Sequence, residues 1–577
     1  MYKILLGYVG NYKRPSILAS LAMTIEVLFE LSIPFLMAAI IDQGINRSDL
    51  NSILIYGSMM LVSALCSLFL GRASSKFAGI ASAGFAKNLR KGMFEKIQGF
   101  SFENIDQFSS ASLVTRMMTD VTNVQNAYQM IIRVCVRAPL NLIVAISIAF
   151  FINREIASIF VYVALFLGIV LFLALRYGHP TFRKVFRAYD GLTAAIQENI
   201  TNIRVVKSYV KEEHEIAKFN RATQKIYDLF LKAIRIILVN NPAMMLSMYA
   251  SIIGISWLGA RLIVAGEFTT GELTSMFSYT MTILMSLMMF TTIFVMLSLS
   301  IASVERIVEV LETESSIHSP ENPVLEVADG SIQYKNVTFG YQSAEDGAVL
   351  KDINLTIEAG QMIGIIGGTG SGKSSLIQLL PRMYDVQSGQ VLVGGVNVKD
   401  YDLDILRRNV AMVLQTNTLF SGSISENLRW GNKDASMEEL IGAAKIAQAH
   451  YFISEFEKGY DTMLERGGAN LSGGQKQRLC IARALLTKPK ILILDDSTSA
   501  VDTKTDAYIR KGLAENLEGV TTLIISQRIS SIQDADKIIV LDDGQISGFG
   551  SHQELLASNA IYQDIYQSQT KGGSDHV

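Results

Sequence analysis

The sequence predicts two domains of different class: an N-terminal all-α domain of six transmembrane helices, then a C-terminal α/β domain built on a phosphate loop. Three observations predict it. Six apolar stretches of membrane-spanning length fill the first half of the 577 residues. Beyond about residue 331, short apolar runs alternate with helical stretches, the pattern of an α/β domain. Within that half, Gly364-Ile365-Ile366-Gly367-Gly368-Thr369-Gly370-Ser371-Gly372-Lys373-Ser374-Ser375 joins a strand to a helix through the pattern G-x-x-x-x-G-K-S.

The bulk numbers agree. The chain is too long for one core. Its 49% hydrophobic residues and mean hydropathy of +0.30 point to a membrane-embedded part. A net charge of −2 gives no sign of a nucleic-acid partner. Cys66, Cys135 and Cys480 lie far apart without metal-ligand spacing and read as structural thiols. The N-terminus lacks the pattern of a cleaved leader. Residues 1–15 read instead as a short amphipathic helix (Tyr2, Ile4, Leu5, Tyr8) at the membrane surface.

The apolar segments fall near 16–41, 53–73, 129–152, 156–176, 235–264 and 273–298. Connections near 42–52, 153–155 and 265–272 are short. Those near 74–128 and 177–234 are long, polar and helical in pattern. The first long one carries Lys76, Lys87, Arg90, Lys91 and Lys96; the second carries Arg183, Lys184, Arg187, Arg204, Lys207 and Lys211. This cationic bias predicts that both long connections and both termini are cytoplasmic. Ser101 to Phe108 and Glu198 to Arg204 should be the turning points farthest from the bilayer. They are either solvent-exposed turns or contacts through which a cytoplasmic motor moves the membrane helices.

Glu26 and Glu30 share one face of the first segment, and carboxylates at membrane depth are costly. They either line a substrate cavity or pair with an arginine such as Arg133 or Arg137. The last segment is rich in methionine, including Met285 and Met289. Flexible thioethers suit a cavity for varied apolar ligands, and they equally suit helix packing. Asn240-Asn241-Pro242 predicts a kink. The predicted division is a membrane domain over 1–311, a linker over 312–330, a nucleotide-binding domain over 331–570 and a disordered tail over 571–577.

The phosphate loop sets the chemistry. Its glycines let successive N–H groups turn inward around phosphate oxygens. Lys373 would reach the β- and γ-phosphates, Ser374 would ligate Mg²⁺, and the following helix presents its positive end. Downstream, Lys490 to Asp496 reads as a buried strand ending in two carboxylates, of which Asp495 can hold Mg²⁺ through water. Between them lies Leu471-Ser472-Gly473-Gly474-Gln475-Lys476-Gln477-Arg478. With that string in place, the chain resembles the ATP-binding cassette (ABC) transporters over essentially its whole length, in the arrangement of an exporter half-transporter.

The resemblance implies ATP and Mg²⁺ as ligands and assigns roles residue by residue. Tyr341 matches the aromatic that stacks on adenine, and Gly367, Gly368, Thr369, Gly370, Ser371, Gly372, Lys373, Ser374 and Ser375 match the Walker A loop. Gln415 matches the Q-loop glutamine, which touches Mg²⁺. Ser472, Gly473, Gly474 and Gln475 match the signature motif, which binds the γ-phosphate of ATP held by the other cassette. Ser499 to Asp502 match the D-loop, and the two turning points match the coupling helices.

Two positions depart from the family pattern. Asp496 stands where the family has the glutamate that activates water, and Gln527 stands where it has the switch histidine. The shorter carboxylate reaches less far, and an amide carries no positive charge toward the transition state. In the head-to-tail dimer that the resemblance implies, both changes impair the same site, while Ser472 to Gln475 serve the opposite one. The expected role is the degenerate-site half of a heterodimeric bacterial exporter in the cell membrane. Its partner would be a different half-transporter with Glu and His at these positions, its surroundings membrane lipids and its cargo an amphipathic drug-like compound or lipid. A homodimeric exporter or lipid flippase with two slow sites, or a non-transporting ATP-binding regulatory subunit, are the alternatives. The chain shows no extra protease-like N-terminal domain, which argues against dedicated peptide processing.

Overall fold

Apolar stretches that must bury their own backbone polar groups in lipid become helices. The structure, a computed structural model, describes residues 2–341, 347–497 and 500–571. The expected tail thus lies outside the described residues except for Lys571, and so does Ser499. Among the described residues, six helices are long and apolar enough to cross a membrane: Gly10–Ile45, Leu50–Gln98, Ser110–Ile152, Arg154–Gly178, Glu212–Val264 and Thr270–Glu312. Several far exceed a bilayer. The 49 residues of Leu50–Gln98 extend about 70 Å against a hydrocarbon core of about 30 Å. The long polar connections are therefore continuations of the membrane helices. At the predicted kink the helix Glu212–Val264 is interrupted at the single residue Val239, between Leu238 and Asn240, with Pro242 in the first turn that follows.

By packing, the chain divides into two units: Met1–Gln98 with Ala111–Thr313, and Gly99–Ser110 with Glu314–Val577. The first unit buries Met23, Val27, Leu31, Ala145, Ala149, Ile156, Phe160, Tyr279 and Ile283 in one cluster. Small residues such as Ala145 and Ala149 let the helices approach closely, which matters where lipid tails remove the usual apolar driving force. Tyr279, fully buried, donates to the Leu31 carbonyl at 2.9 Å. Asp120, also buried, accepts from Ser303 Oγ at 2.9 Å and Arg306 Nε at 2.7 Å, tying the third span to the last. Asp42 accepts from the Gly271 N–H at 2.9 Å, where its negative charge complements the start of the last helix.

The predicted N-terminal amphipathic helix forms over Tyr2–Gly7, and the residues that follow it, Tyr8 and Tyr12, lie against the second long helix. Asn88 Nδ2 donates to the Tyr8 carbonyl at 2.9 Å. Gly84 and Gly92 make room for two rings. A Cβ on Gly84 would stand 2.3 Å from Tyr12, and one on Gly92 2.3 Å from Tyr8.

In the second unit the strands are β1 (Ile332–Phe339), β2 (Leu350–Ile357), β3 (Met362–Gly367), β4 (Ser388–Val393), β5 (Val396–Asn397), β6 (Val410–Val413), β7 (Gly422–Ser423), β8 (Met463–Leu464), β9 (Ile491–Asp495), β10 (Thr521–Ile525), β11 (Lys537–Asp542) and β12 (Gln545–Gly550). A six-stranded sheet runs β12-β11-β3-β10-β9-β6, parallel except at β12. A four-stranded antiparallel sheet runs β2-β1-β4-β5, and β7 pairs with β8.

Strands β9 and β10 are buried throughout, as a parallel sheet covered on both faces requires. Alternate side chains feed two cores. Leu492, Leu494, Ile524 and Val540 face the helical side, whereas Ile493, Leu523, Ile525 and Ile539 face the antiparallel sheet. The register pairs Ile525 with both Ile365 and Asp495, so the carboxyl ends of β9 and β10 lie level and β3 runs two residues further, to Gly367.

Gly84→Ala is expected to destabilise the chain by about 1–3 kcal/mol through overpacking against Tyr12. Gly79→Ala, whose Cβ meets nothing within 4 Å, should be neutral or slightly stabilising. Melting temperatures of the two detergent-purified variants check the contrast.

Candidate nucleotide site

The neighbouring strand ends gather most of the predicted phosphate-binding residues, though not Ser371, Gly372 or Ser375, around one cavity of about 340 Å³. It is lined by Gly367, Gly368, Thr369, Gly370, Lys373, Ser374, Gln415, Asp495, Asp496 and Gln527, with Ile366, Ile525 and Ile565. The loop leaves β3 at Gly367 and enters a helix at Lys373 through Gly372, whose φ is +94°. Neither glycine is replaceable by a larger residue without a shift. A Cβ on Gly367 would lie 2.2 Å from the Leu541 carbonyl oxygen, and one on Gly372 2.7 Å from Leu350.

Lys373 curls over the loop, its Nζ donating to the carbonyls of Gly367 at 2.9 Å and Gly368 at 2.7 Å. Partial burial pulls its pKa below the ordinary lysine value, against the pull of Asp495 and Asp496. Ser374 Oγ stands 3.5 Å from Asp495 Oδ1. Burial raises the Asp495 carboxyl above its ordinary value, and the neighbouring Asp496 charge adds to that. Ser374, Asp495 and Gln415 bring hard oxygen donors to one wall, a set that suits Mg²⁺ shared with substrate phosphates rather than a metal caged by protein alone. Accordingly, no cluster of three or more His, Cys, Asp or Glu fit to hold a metal occurs among the described residues.

Asp496 follows the end of β9 in a left-handed turn, with φ +47° and its N–H donated to the Ile525 carbonyl at 3.1 Å. The side chain of Gln415 hydrogen-bonds its carboxylate. Burial raises the Asp496 carboxyl, while Arg528, Gln415 and Lys373 act in the opposite direction. Gln527 stands in the same wall two residues beyond β10.

Other predicted residues lie elsewhere. Tyr341 is bound edge-on to Phe339 and Tyr384, with ring centroids at 4.9 and 5.1 Å. Its hydroxyl sits 3.1 Å from both Ser375 Oγ and Gln378 Oε1, on the helix after the loop. Ser472 caps the helix Gly473–Leu485, with the Gln475 side chain closing a capping box. Ser472 and Gly473 are exposed and outside the cavity wall. Gln477 Oε1 accepts from the Ala500 N–H at 3.1 Å, joining this helix to the following loop.

Within the membrane unit, Arg137 donates to Glu26 at 3.0 Å and to Glu30 at 2.6 Å. The arginine alternative therefore describes the pair, although Glu26 Oε2 is buried and without a hydrogen-bond partner among the described residues. Met285 is well exposed and Met289 half-buried.

The first turning point forms a helix over Phe102–Phe108, capped by Ser101 and Asn104. Asp106 accepts from Tyr384 Oη at 2.6 Å, and Phe102 packs on the same ring. Burial and this carboxylate raise the Tyr384 phenol far above its ordinary value, so it remains a donor. The second turn is centred later than expected, on the helix Ile203–Ser208, because the preceding helix runs through to Thr201. Tyr384 and Ile565 carry no sequence signal, since they lie outside any motif and reach Tyr341 and the cavity only through packing.

The chain matches two families, described as the ABC transporter transmembrane region over residues 16–287 and as ABC transporter over residues 350–499. It is 37% identical, over 98% of both chains, to the uncharacterized ABC transporter ATP-binding protein YfiB of Bacillus subtilis. It is 32% identical to an ATP-dependent lipid A-core flippase of Syntrophus aciditrophicus, covering 80% of this chain and 79% of that one. It is 37% identical to a probable multidrug resistance ABC transporter ATP-binding/permease protein, YheI of Bacillus subtilis, covering 68% and 67%. The fold also matches the structure of a bacterial Atm1-family ABC exporter with ATP bound (TM-score 0.82, 24% identity), covering 96% of this chain and 99% of that one.

Tyr384→Phe keeps the rings but removes the hydroxyl bond to Asp106. Amide exchange over residues 102–108 should accelerate by about threefold to tenfold, the effect of losing one such bond. Hydrogen-exchange mass spectrometry of the full chain reads it.

Proposed function

The chain belongs to the ABC transporter family, with the membrane-spanning and ATP-binding parts of an exporter fused in one half-transporter, and on that premise we propose that it is the degenerate-site half of a heterodimeric bacterial exporter. The observation that carries the reading is the cavity above the phosphate loop. Where a glutamate base and a switch histidine are expected, its wall presents Asp496 and Gln527 together. Burial raises the Asp496 carboxyl, so its deficit as a base is one of reach rather than of proton affinity. Gln527 can hydrogen-bond a γ-phosphate but brings no charge to it.

ATP binding needs neither residue. Lys373 and the loop amides of Gly367 to Ser375 would hold the phosphates, Tyr341 the adenine, and Ser374, Gln415 and Asp495 the Mg²⁺. Mg²⁺ would supply charge neutralisation at the β- and γ-phosphates. Ser472 and Gly473, exposed at a capped helix start, with Gly474 and Gln475 half-buried behind them, would close on ATP held by the partner. That partner is a second half-transporter with glutamate and histidine at the corresponding positions. Ile203, Val205, Tyr209 and Val210 are all exposed at the second turning point, which supports an assembled rather than solitary chain.

The proposed division is a membrane domain over 1–311, a linker over 312–330 and a nucleotide-binding domain over 331–570. The cationic long connections support a multi-pass cell-membrane protein with cassette and termini in the cytoplasm. The cargo is an amphipathic drug-like molecule or lipid. The names of two relatives support that class, as does the exposed thioether of Met285, with Met289 nearby on the same helix. Glu26 and Glu30, braced by Arg137, would give the cavity a polar edge. ATP binding closes the cassettes and turns the cavity outward, and hydrolysis at the partner's site resets it. This requires ATP to bind the closed state far more tightly than the open one.

Asp496→Ala should leave turnover by the complex within about twofold, whereas loss of the partner's glutamate should lower it by 10²-fold or more. Equal losses would show instead that Asp496 is a working base, as in a homodimer with two slow sites. In that case Asp496→Glu with Gln527→His should raise hydrolysis by the chain alone.

A further inference from the structure

The segment that carries Gln527 is held from outside the cavity by the last helix of the chain, Ala560–Lys571. One side-chain amide makes both contacts. Gln569 Nε2 donates to the Gln527 carbonyl at 2.7 Å, and Gln569 Oε1 accepts from the Ile529 N–H at 2.9 Å. The amide thus reads two backbone groups on either side of Arg528, as an adjacent strand would. One turn earlier on the same helix, Ile565 lines the nucleotide cavity itself.

The helix is anchored at its other end. Tyr562 is fully buried and bonded to His552 Nδ1 at 2.6 Å, and its N–H donates to Asn559 Oδ1 at 2.8 Å. The switch segment is also fixed on its far side, where Ser531 Oγ donates to buried Asp506 at 3.0 Å. Between these fixed points, and among the described residues, Gln569 is the side chain that bonds the backbone of Gln527.

We propose that Gln569 is a positioning residue: docking of the C-terminal helix sets where Gln527 stands over the phosphate loop, and so controls how well this site distinguishes a nucleoside triphosphate from a diphosphate. The proposal rests on the reading above in one respect, that Gln527 faces the γ-phosphate. It makes the C-terminal helix a regulatory element, since whatever displaces it loosens the switch segment without touching the phosphate loop. Gln569 is exposed, so its replacement spares the core.

The test uses the full-length chain in detergent and measures affinity for trinitrophenyl-ATP and trinitrophenyl-ADP with magnesium. Gln569→Ala should weaken the triphosphate by about threefold to tenfold and leave the diphosphate unchanged, the effect of one or two modest hydrogen bonds. Gln569→Glu, which keeps the acceptor for Ile529 but sets a carboxylate against the Gln527 carbonyl, should do at least as much. Gln527→Ala should lower the same ratio, and adding Gln569→Ala to it should cost nothing more. Equal weakening of both nucleotides by Gln569→Ala, or no change in either, overturns the proposal. If Gln527→Ala itself leaves the ratio unchanged, the assignment of Gln527 to the γ-phosphate fails, and this proposal fails with it.

Discussion

The parallel register of β3, β10 and β9 is the constraint on which the site depends. Pairing Ile525 with Ile365 on one side and Asp495 on the other brings the ends of β9 and β10 level, with β3 running two residues past them. The phosphate loop, the two carboxylates and the switch residue each follow one of those ends within two residues. A slip of one residue in β9 would turn Asp495 to the opposite face of the sheet. The burial of β9 and β10 on both faces makes such a slip costly, because Leu492 and Ile493 already fill opposite cores. The geometry of the cavity is therefore set in large part by apolar side chains such as Leu492 and Ile493 that do not line it.

That frame is blind to the identity of the residue after Asp495. The turn with positive φ places whatever residue stands there beside the loop, and aspartate tolerates that backbone well. The side chain of Gln415 then hydrogen-bonds its carboxylate, and the positive charge of Arg528 stands near it. In the proposed reading, the shorter carboxylate and the amide leave the phosphate cradle of Lys373 and its loop as it is, so this site would keep nucleotide binding while losing most of its hydrolysis. A half-transporter can keep ATP as a clamp between two cassettes while the chemistry is carried by its partner.

Much of this was legible in the sequence because it rests on local rules. Six apolar runs, the glycine-rich loop after an apolar strand and the run ending in Asp495-Asp496 each announce their conformation through composition and spacing. The residues that were not legible act through tertiary packing. Tyr384 meets Asp106 across 278 positions, and Gln569 meets Gln527 across 42. No periodicity encodes either pair. The turn at Ile203–Ser208 was displaced by several residues because helix ends are set by local capping, which hydropathy does not record. Glu26 and Glu30 were recognisable as exceptional, but only coordinates could choose Arg137 over Arg133 as the partner.

The central claim is that this chain binds ATP at its own Walker residues and depends on another chain for hydrolysis. The most direct measurement is ATP hydrolysis by the chain purified alone, against the same chain co-purified with a candidate partner half-transporter. The account predicts near-zero turnover alone, with nucleotide still bound, and robust turnover together. Comparable activity by the chain alone would contradict it and make Asp496 the working base of a homodimer.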